Sequence, residues 1–190
     1  MLKLNVIALE NRFQIEVNFV NDDTHAIADV TTRALKKNDR VVFIGYSIFI
    51  DENSLKYLLV EKLPLGYSGM VLASAKDGID WEMFKQKVRS GSTEPVDQMG
   101  INFDTEIDKK ITDDVWSVKS TESRAWMLHS KSVIKTLRER KGDGLKVPLR
   151  QSEMLNKLKL CTYIKSKVIT THTHECLSNI LESAGIKVVR

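Results

Sequence analysis

The clearest pattern along the chain is an alternation at residues 12–20. Phe13, Ile15, Val17 and Phe19 are apolar, and the polar Gln14, Glu16 and Asn18 sit between them. Side chains of an extended backbone point to opposite faces in turn, so this spacing predicts a half-buried strand. Asp22, Asp23 and Thr24 follow, with side-chain oxygens suited to cap a helix. Ile27, Val30, Ala34 and Leu35 then keep helical spacing, and Lys36 and Lys37 suit the negative end of the helix dipole. Asn38-Asp39 reads as a turn. Residues 41–50 form a β-prone run in which Gly45 marks a bulge. A helix over 52–63, with Leu55, Leu58 and Leu59 inward, ends before Pro64.

Further along, Gly66 and Gly69 bracket a turn, and 70–75 reads as a strand. Asp77-Gly78 turns the chain, and Asp80 caps a short helix with Trp81, Phe84 and Val88 on one side. Residues 90–98 are the most loop-like stretch. Strands are expected at 99–103 and 115–119. Thr121 then caps a helix running to Arg140, with Trp126, Val133, Ile134 and Leu137 on its apolar side. Gly142 and Gly144 break it. Helices at 152–167 and 173–184 follow, the second stopped by Gly185 and trailed by a short strand at 186–189. The expected fold is α+β, an antiparallel or mixed sheet with packed helices and a mainly helical C-terminal third. One domain spans 1–190, with a possible subdivision into a β-rich core (1–120) and a basic helical part (121–190).

Charge changes this picture. The net charge is +4, but residues 131–167 hold eleven basic and three acidic side chains, so that stretch is +8 and the remainder −4. Such asymmetry favours contact with a polyanion, either nucleic acid or an anionic membrane surface. A solvated helical face that keeps the protein soluble is the plainer reading. Lys131, Lys135 and Arg138 share one face by their spacing, Arg140 and Lys141 extend it, and Trp126 lies just before it. Aromatic stacking beside cations holds single-stranded nucleic acid, although a tryptophan is more often core.

Two cysteines make no disulfide framework, and no apolar run approaches a membrane span. Residues 1–9 are too short for a signal peptide, and residue 2 is not glycine, so a protein of the cytoplasm or nucleus without N-myristoylation is expected. No phosphate-binding glycine loop, nucleophile elbow or zinc-protease motif occurs, so neither a catalytic residue nor a cofactor is expected. His172, His174 and Cys176, with Cys161 upstream, are weak candidates for zinc. If 172–176 is extended, all three side chains share a face, whereas in a helix His174 leaves it. The alternative is two surface histidines and a cysteine packed as a small apolar residue. Asp22/Asp23, Asp77/Asp80 and Asp113/Asp114 are carboxylate pairs that caps and turns explain.

The order of features over residues 13–66 resembles the globular core of rhabdovirus matrix proteins. It comprises the alternating Phe13, Ile15 and Val17, a helix opening with Asp29-Val30, Asp39, the run Phe43-Ile44-Gly45, and the Leu-rich segment 55–63. Many members of that family carry a basic, Pro-rich tail with a budding motif before this core. Here only Pro64, Pro95 and Pro148 occur. The resemblance implies a non-enzymatic, virion-incorporated protein that forms homo-oligomers, condenses a nucleocapsid and contacts the inner membrane leaflet. Its partners would be nucleoprotein or nucleic acid, its own copies and an anionic membrane surface. Two other readings remain: an RNA- or DNA-binding accessory protein using the basic helical face, and a small enzyme whose site is assembled from distant residues.

Overall fold

A computed structural model describes residues 2–46, 48–76, 78–138, 144–166 and 172–187. The chain runs α1 (Leu2–Glu10), α2 (Thr24–Lys37), β1 (Arg40–Ile44), α3 (Glu52–Val60), β2 (Gly69–Val71) and α4 (Trp81–Arg89). A 3₁₀ turn (Val96–Gln98) leads to β3 (Thr105–Lys110), β4 (Val115–Thr121), β5 (Ala125–His129) and α5 (Ser130–Leu137). The last elements are α6 (Gln151–Asn156), β6 (Leu160–Tyr163) and α7 (His172–Ser183). The six strands form one sheet in the order β1-β5-β2-β6-β4-β3. β2 and β6 pair in parallel and every other neighbouring pair is antiparallel, so the α+β fold carries a mixed sheet. Strands β5 and β6, from beyond residue 120, lie between β1 and β2 and between β2 and β4.

Local chemistry accounts for the helix starts. The Asp23 carboxylate accepts from the Ala26 backbone N–H at 2.9 Å, Asp51 from Ser54 at 3.2 Å, and Asp80 from Met83 at 2.9 Å. Each satisfies a donor that the first helical turn leaves open. Strands β5, β2 and β6 bury both faces of the sheet between them. Helices α2, α5 and α6 cover one side, where Leu35, Val133 and Leu155 meet Val71, Trp126, Leu128 and Leu160. On the other side Leu58 of α3 and Tyr67 meet Met70, Met127 and Cys161. The register places Met70 beside Met127 and Val71 beside Trp126, so neighbouring residues feed opposite halves of the core.

Several expected elements differ. Arg12 sits in a turn with a positive φ of 57°, and residues 13–20 join no sheet. Phe13 and Ile15 are half-buried, while Phe19 is 88% exposed. Alternation alone supplies no pairing partner. The helix expected from Thr121 to Arg140 is instead strand β5 followed by a helix confined to Ser130–Leu137. Ala125, Trp126, Met127 and Leu128 are all buried, and a strand covered on both faces loses its alternation. Helix 152–167 likewise stops at Asn156 and gives way to β6, so strands share the C-terminal third with helices. The first residues form α1, and the expected strand at 99–103 contributes only an isolated bridge from Phe103 to Ala75. Residues 186–187 are not a strand, and 188–189 lie outside the described residues.

Candidate interaction surfaces

Helix α5 buries Val133 and Leu137 against the sheet, which turns Lys131 and Lys135 outward. Both are exposed. The Lys131 ammonium lies 3.8 Å from the Asp39 carboxylate, in a pair so open (83% and 84% exposed) that water screens most of the attraction. Arg138 is exposed too, but it is the C-cap, in extended backbone, so the helical stripe holds two cations and Arg138 follows it. Arg140 and Lys141 lie outside the described residues. The fold adds cations that the sequence reading did not place here. Helix α2 packs beside α5. It buries Ala28, Thr31 and Leu35, which leaves Arg33, Lys36 and Lys37 exposed. The signal was present in that helical spacing, but the proximity of α2 to α5 is a property of the sheet order.

Trp126 does not belong to this surface. It is fully buried in β5, its ring stacks on Phe43 with centroids 5.2 Å apart, and its indole N–H donates to Gln151 Oε1 at 2.9 Å. No face of the ring is open to a base, and the residue is core.

The Cys/His group does not assemble as an extended ligand set. The backbone from His172 to Ser183 is helical, which removes the alternation that would aim His172, His174 and Cys176 together. The side chains at 172–177 are outside the described residues. Cys161 sits in β6, fully buried, with its Sγ 3.6 Å from the Gly69 carbonyl. Burial pushes its thiol up to about 12, far from the thiolate that a metal needs. Among the described residues no group of three His, Cys, Asp or Glu side chains could hold a metal ion.

Two adjoining polar hollows, of about 360 and 370 Å³, lie where the segment after β2 meets the start of β3 and the end of β4. Asp104, largely buried, accepts from the Ser74 hydroxyl, from the Ser74 backbone N–H at 3.0 Å and from the Thr105 hydroxyl at 2.8 Å. Thr121 exchanges backbone hydrogen bonds with the Asn156 side chain at 2.9 and 3.2 Å. At the rim Glu122 pairs with Lys76 at 2.9 Å, and Glu106 pairs with Lys119 at 2.6 Å. Hydrogen bonds from Lys119 and Ser120, with the lysine's charge, hold the Glu106 carboxyl below its usual range. These oxygens are held by hydroxyl, N–H and lysine donors, which satisfies the polar groups of the hollow. The pair Asp113 and Asp114 is likewise tied, to Lys110 at 2.9 Å and Lys165 at 2.8 Å.

The two sheet edges differ. β3 carries two register shifts and ends in Lys109-Lys110, both devices that discourage further strand pairing. β1 reads Arg-Val-Val-Phe-Ile and pairs with β5 without a shift. Among the described residues no backbone hydrogen bond leaves its outer side. Its last residue, Ile44, is 42% exposed, and just beyond it Tyr46 and Phe49 are 89 and 67% exposed. No helix among the described residues is long and apolar enough to cross a membrane. No known protein family, curated protein or solved structure matches this chain.

Proposed function

We propose that this chain is a non-enzymatic, matrix-like structural protein that self-associates and bridges a nucleocapsid and a membrane during virus assembly. It would act inside the cell and be built into the virion. The observation that carries the reading is the β1 edge. It is regular, apolar after Arg40 and makes no backbone hydrogen bond on its outer side among the described residues, and it ends in exposed Ile44 and leads to exposed Tyr46 and Phe49. Natural sheets blunt such edges unless another chain covers them. The resemblance over residues 13–66 points the same way.

The test is sedimentation velocity across a concentration series, beside a Tyr46→Lys/Phe49→Lys variant whose fold is checked by circular dichroism. The parent is expected to form larger species as concentration rises, and the variant to remain monomeric. A parent that stays monomeric at high concentration overturns the proposal. A second reading, a nucleic-acid-binding accessory protein, draws on the exposed cations of α2 and α5. It predicts RNA binding that weakens steeply with salt and collapses when Lys131, Lys135 and Arg138 are changed to Glu.

A further inference from the structure

The turn between α3 and β2 presents one leucine to solvent. Leu65 is completely exposed, at 101%. A lone exposed leucine is ordinary, and what distinguishes this one is how it is held and what surrounds it. The Tyr67 N–H donates to the Pro64 carbonyl at 3.1 Å, Gly66 takes a positive φ of 83°, and Tyr67 is buried. Beyond the turn, the Ser68 N–H donates to the Lys159 carbonyl at 2.8 Å, and the Ser68 carbonyl accepts from His129 at 2.8 Å. The turn is thus stitched to the start of β6 and the end of β5, and its tip is presented on a fixed frame.

The same stitching gathers cations. Lys62 precedes the turn and is exposed, and the Lys159 ammonium stands 4.5 Å from the Tyr67 ring centre. His129 leads into Ser130 and Lys131, and the Ser130 N–H donates to the Asp39 carbonyl at 2.9 Å. That bond brings in the C-terminus of α2, with Lys36 and Lys37. The acidic groups facing this end are Asp39 beside Lys131, Glu16 paired with Lys37 at 2.6 Å, and the exposed Glu61. Lysine is therefore in excess around an apolar tip.

We infer that this end of the sheet is a membrane-facing surface, with Leu65 entering the headgroup region of a bilayer and the surrounding lysines resting on anionic lipid headgroups. Cations alone would serve a phosphate backbone equally well. On a nucleic acid an exposed leucine gains burial only by wedging bases apart at the cost of unstacking, whereas an interfacial layer takes up the leucine and the cations together. The inference deepens the assembly reading above and rests on it for its biological setting.

Co-sedimentation of the full chain with vesicles tests it, comparing phosphatidylcholine alone with phosphatidylcholine containing about 30% phosphatidylserine, a strongly anionic surface. The parent is expected to bind the anionic vesicles and to ignore the neutral ones. Leu65→Ser touches no packing, and it should weaken binding about tenfold, the scale of losing one buried leucine. Leu65→Trp should retain binding, since tryptophan favours the interface. Lys62→Glu with Lys131→Glu should abolish it. Binding unchanged in Leu65→Ser, or equal on both vesicles, overturns the inference. So does an absence of vesicle binding in a protein that binds single-stranded RNA regardless of residue 65. A self-associating protein blind to vesicles overturns this inference alone. A strict monomer that binds as described overturns only the assembly reading.

Discussion

Trp126 gives the sharpest separation between a structural and a ligand-binding role. It has no exposed surface, it stacks on Phe43 at 18° between ring planes, and its N–H is held by Gln151. Trp126→Ala removes the largest fully buried side chain among the described residues. Truncations of this kind cost about 3–5 kcal/mol through lost transfer energy and the cavity left behind. The orphaned Gln151 oxygen adds about 0.5 kcal/mol, because Gln151 is only half-buried and water can reach it. For a domain of this size the sum, about 3.5–5.5 kcal/mol, lowers the melting temperature by roughly 7–22 °C. Urea unfolding followed by circular dichroism measures the loss. Trp126→Phe retains an aromatic ring against Phe43 and should lose less. The decisive comparison is RNA affinity of the Phe variant under conditions where it is fully folded, which should equal the parent's. A Trp126→Ala protein within about 1 kcal/mol of the parent would mean that the core assignment is mistaken. A stable Phe variant with impaired RNA binding would return Trp126 to the ligand surface.

The glycines of the β2 region make a graded pair. A Cβ at Gly69 would lie 2.5 Å from the Met127 carbonyl oxygen and 2.6 Å from Leu128 Cδ2, so Gly69→Ala must displace strand backbone and should cost about 3 kcal/mol. Gly66→Ala meets nothing closer than the Lys159 ammonium at 3.8 Å and strains only the left-handed backbone, costing about 1 kcal/mol; denaturant midpoints in the reverse order would refute the argument. Cys161 should resist a thiol reagent in native Cys176→Ser protein and react once urea unfolds it. Its raised folded value also means that stability is intact below pH 9, the ordinary value, and falls as pH rises from there towards 12. Rapid labelling at neutral pH without unfolding, or melting temperatures flat across that alkaline range, would show that the thiol is not sealed.

How much of this was legible in the chain depended on whether a signal was local. Asp23 and Asp80 lie at helix starts because capping needs only an oxygen and two or three following residues. Gly185, at φ 77°, ends α7 for an equally local reason. Trp126 and its neighbours show where locality fails. Four consecutive buried apolar residues satisfy a helical pattern as well as a doubly covered strand, and only the partners β1 and β2 decide between them. The segment at 12–20 fails in the opposite sense. Its alternation is strong, yet among the described residues it pairs with no strand. The basic surface was half legible. Lys131 and Lys135 follow from spacing on α5, whereas Arg33 and Lys36 join them only because α2 packs alongside.

The exposed features have a spatial logic that follows from β1. Arg40 begins the strand at the lysine end, where Ser130 meets Asp39, and its guanidinium turns back to the α3 carbonyls of Leu58 and Leu59 and to Glu61. Ile44 closes the strand at the opposite end and leads to Tyr46 and Phe49. Five residues of extended chain separate the two by about 13 Å, from a rise near 3.3 Å per residue. A copy seated along the edge towards Ile44 therefore leaves the Leu65 turn beyond the start of the strand. The charge reversals that abolish vesicle binding also lie away from the apolar residues whose loss should abolish self-association. The two activities are then separable by mutation, as a protein that joins its own copies while facing a third surface requires. If Tyr46→Lys/Phe49→Lys lost vesicle binding as a dilute, folded monomer, or Leu65→Ser lost self-association, this segregation would be wrong, and one surface would be serving both purposes.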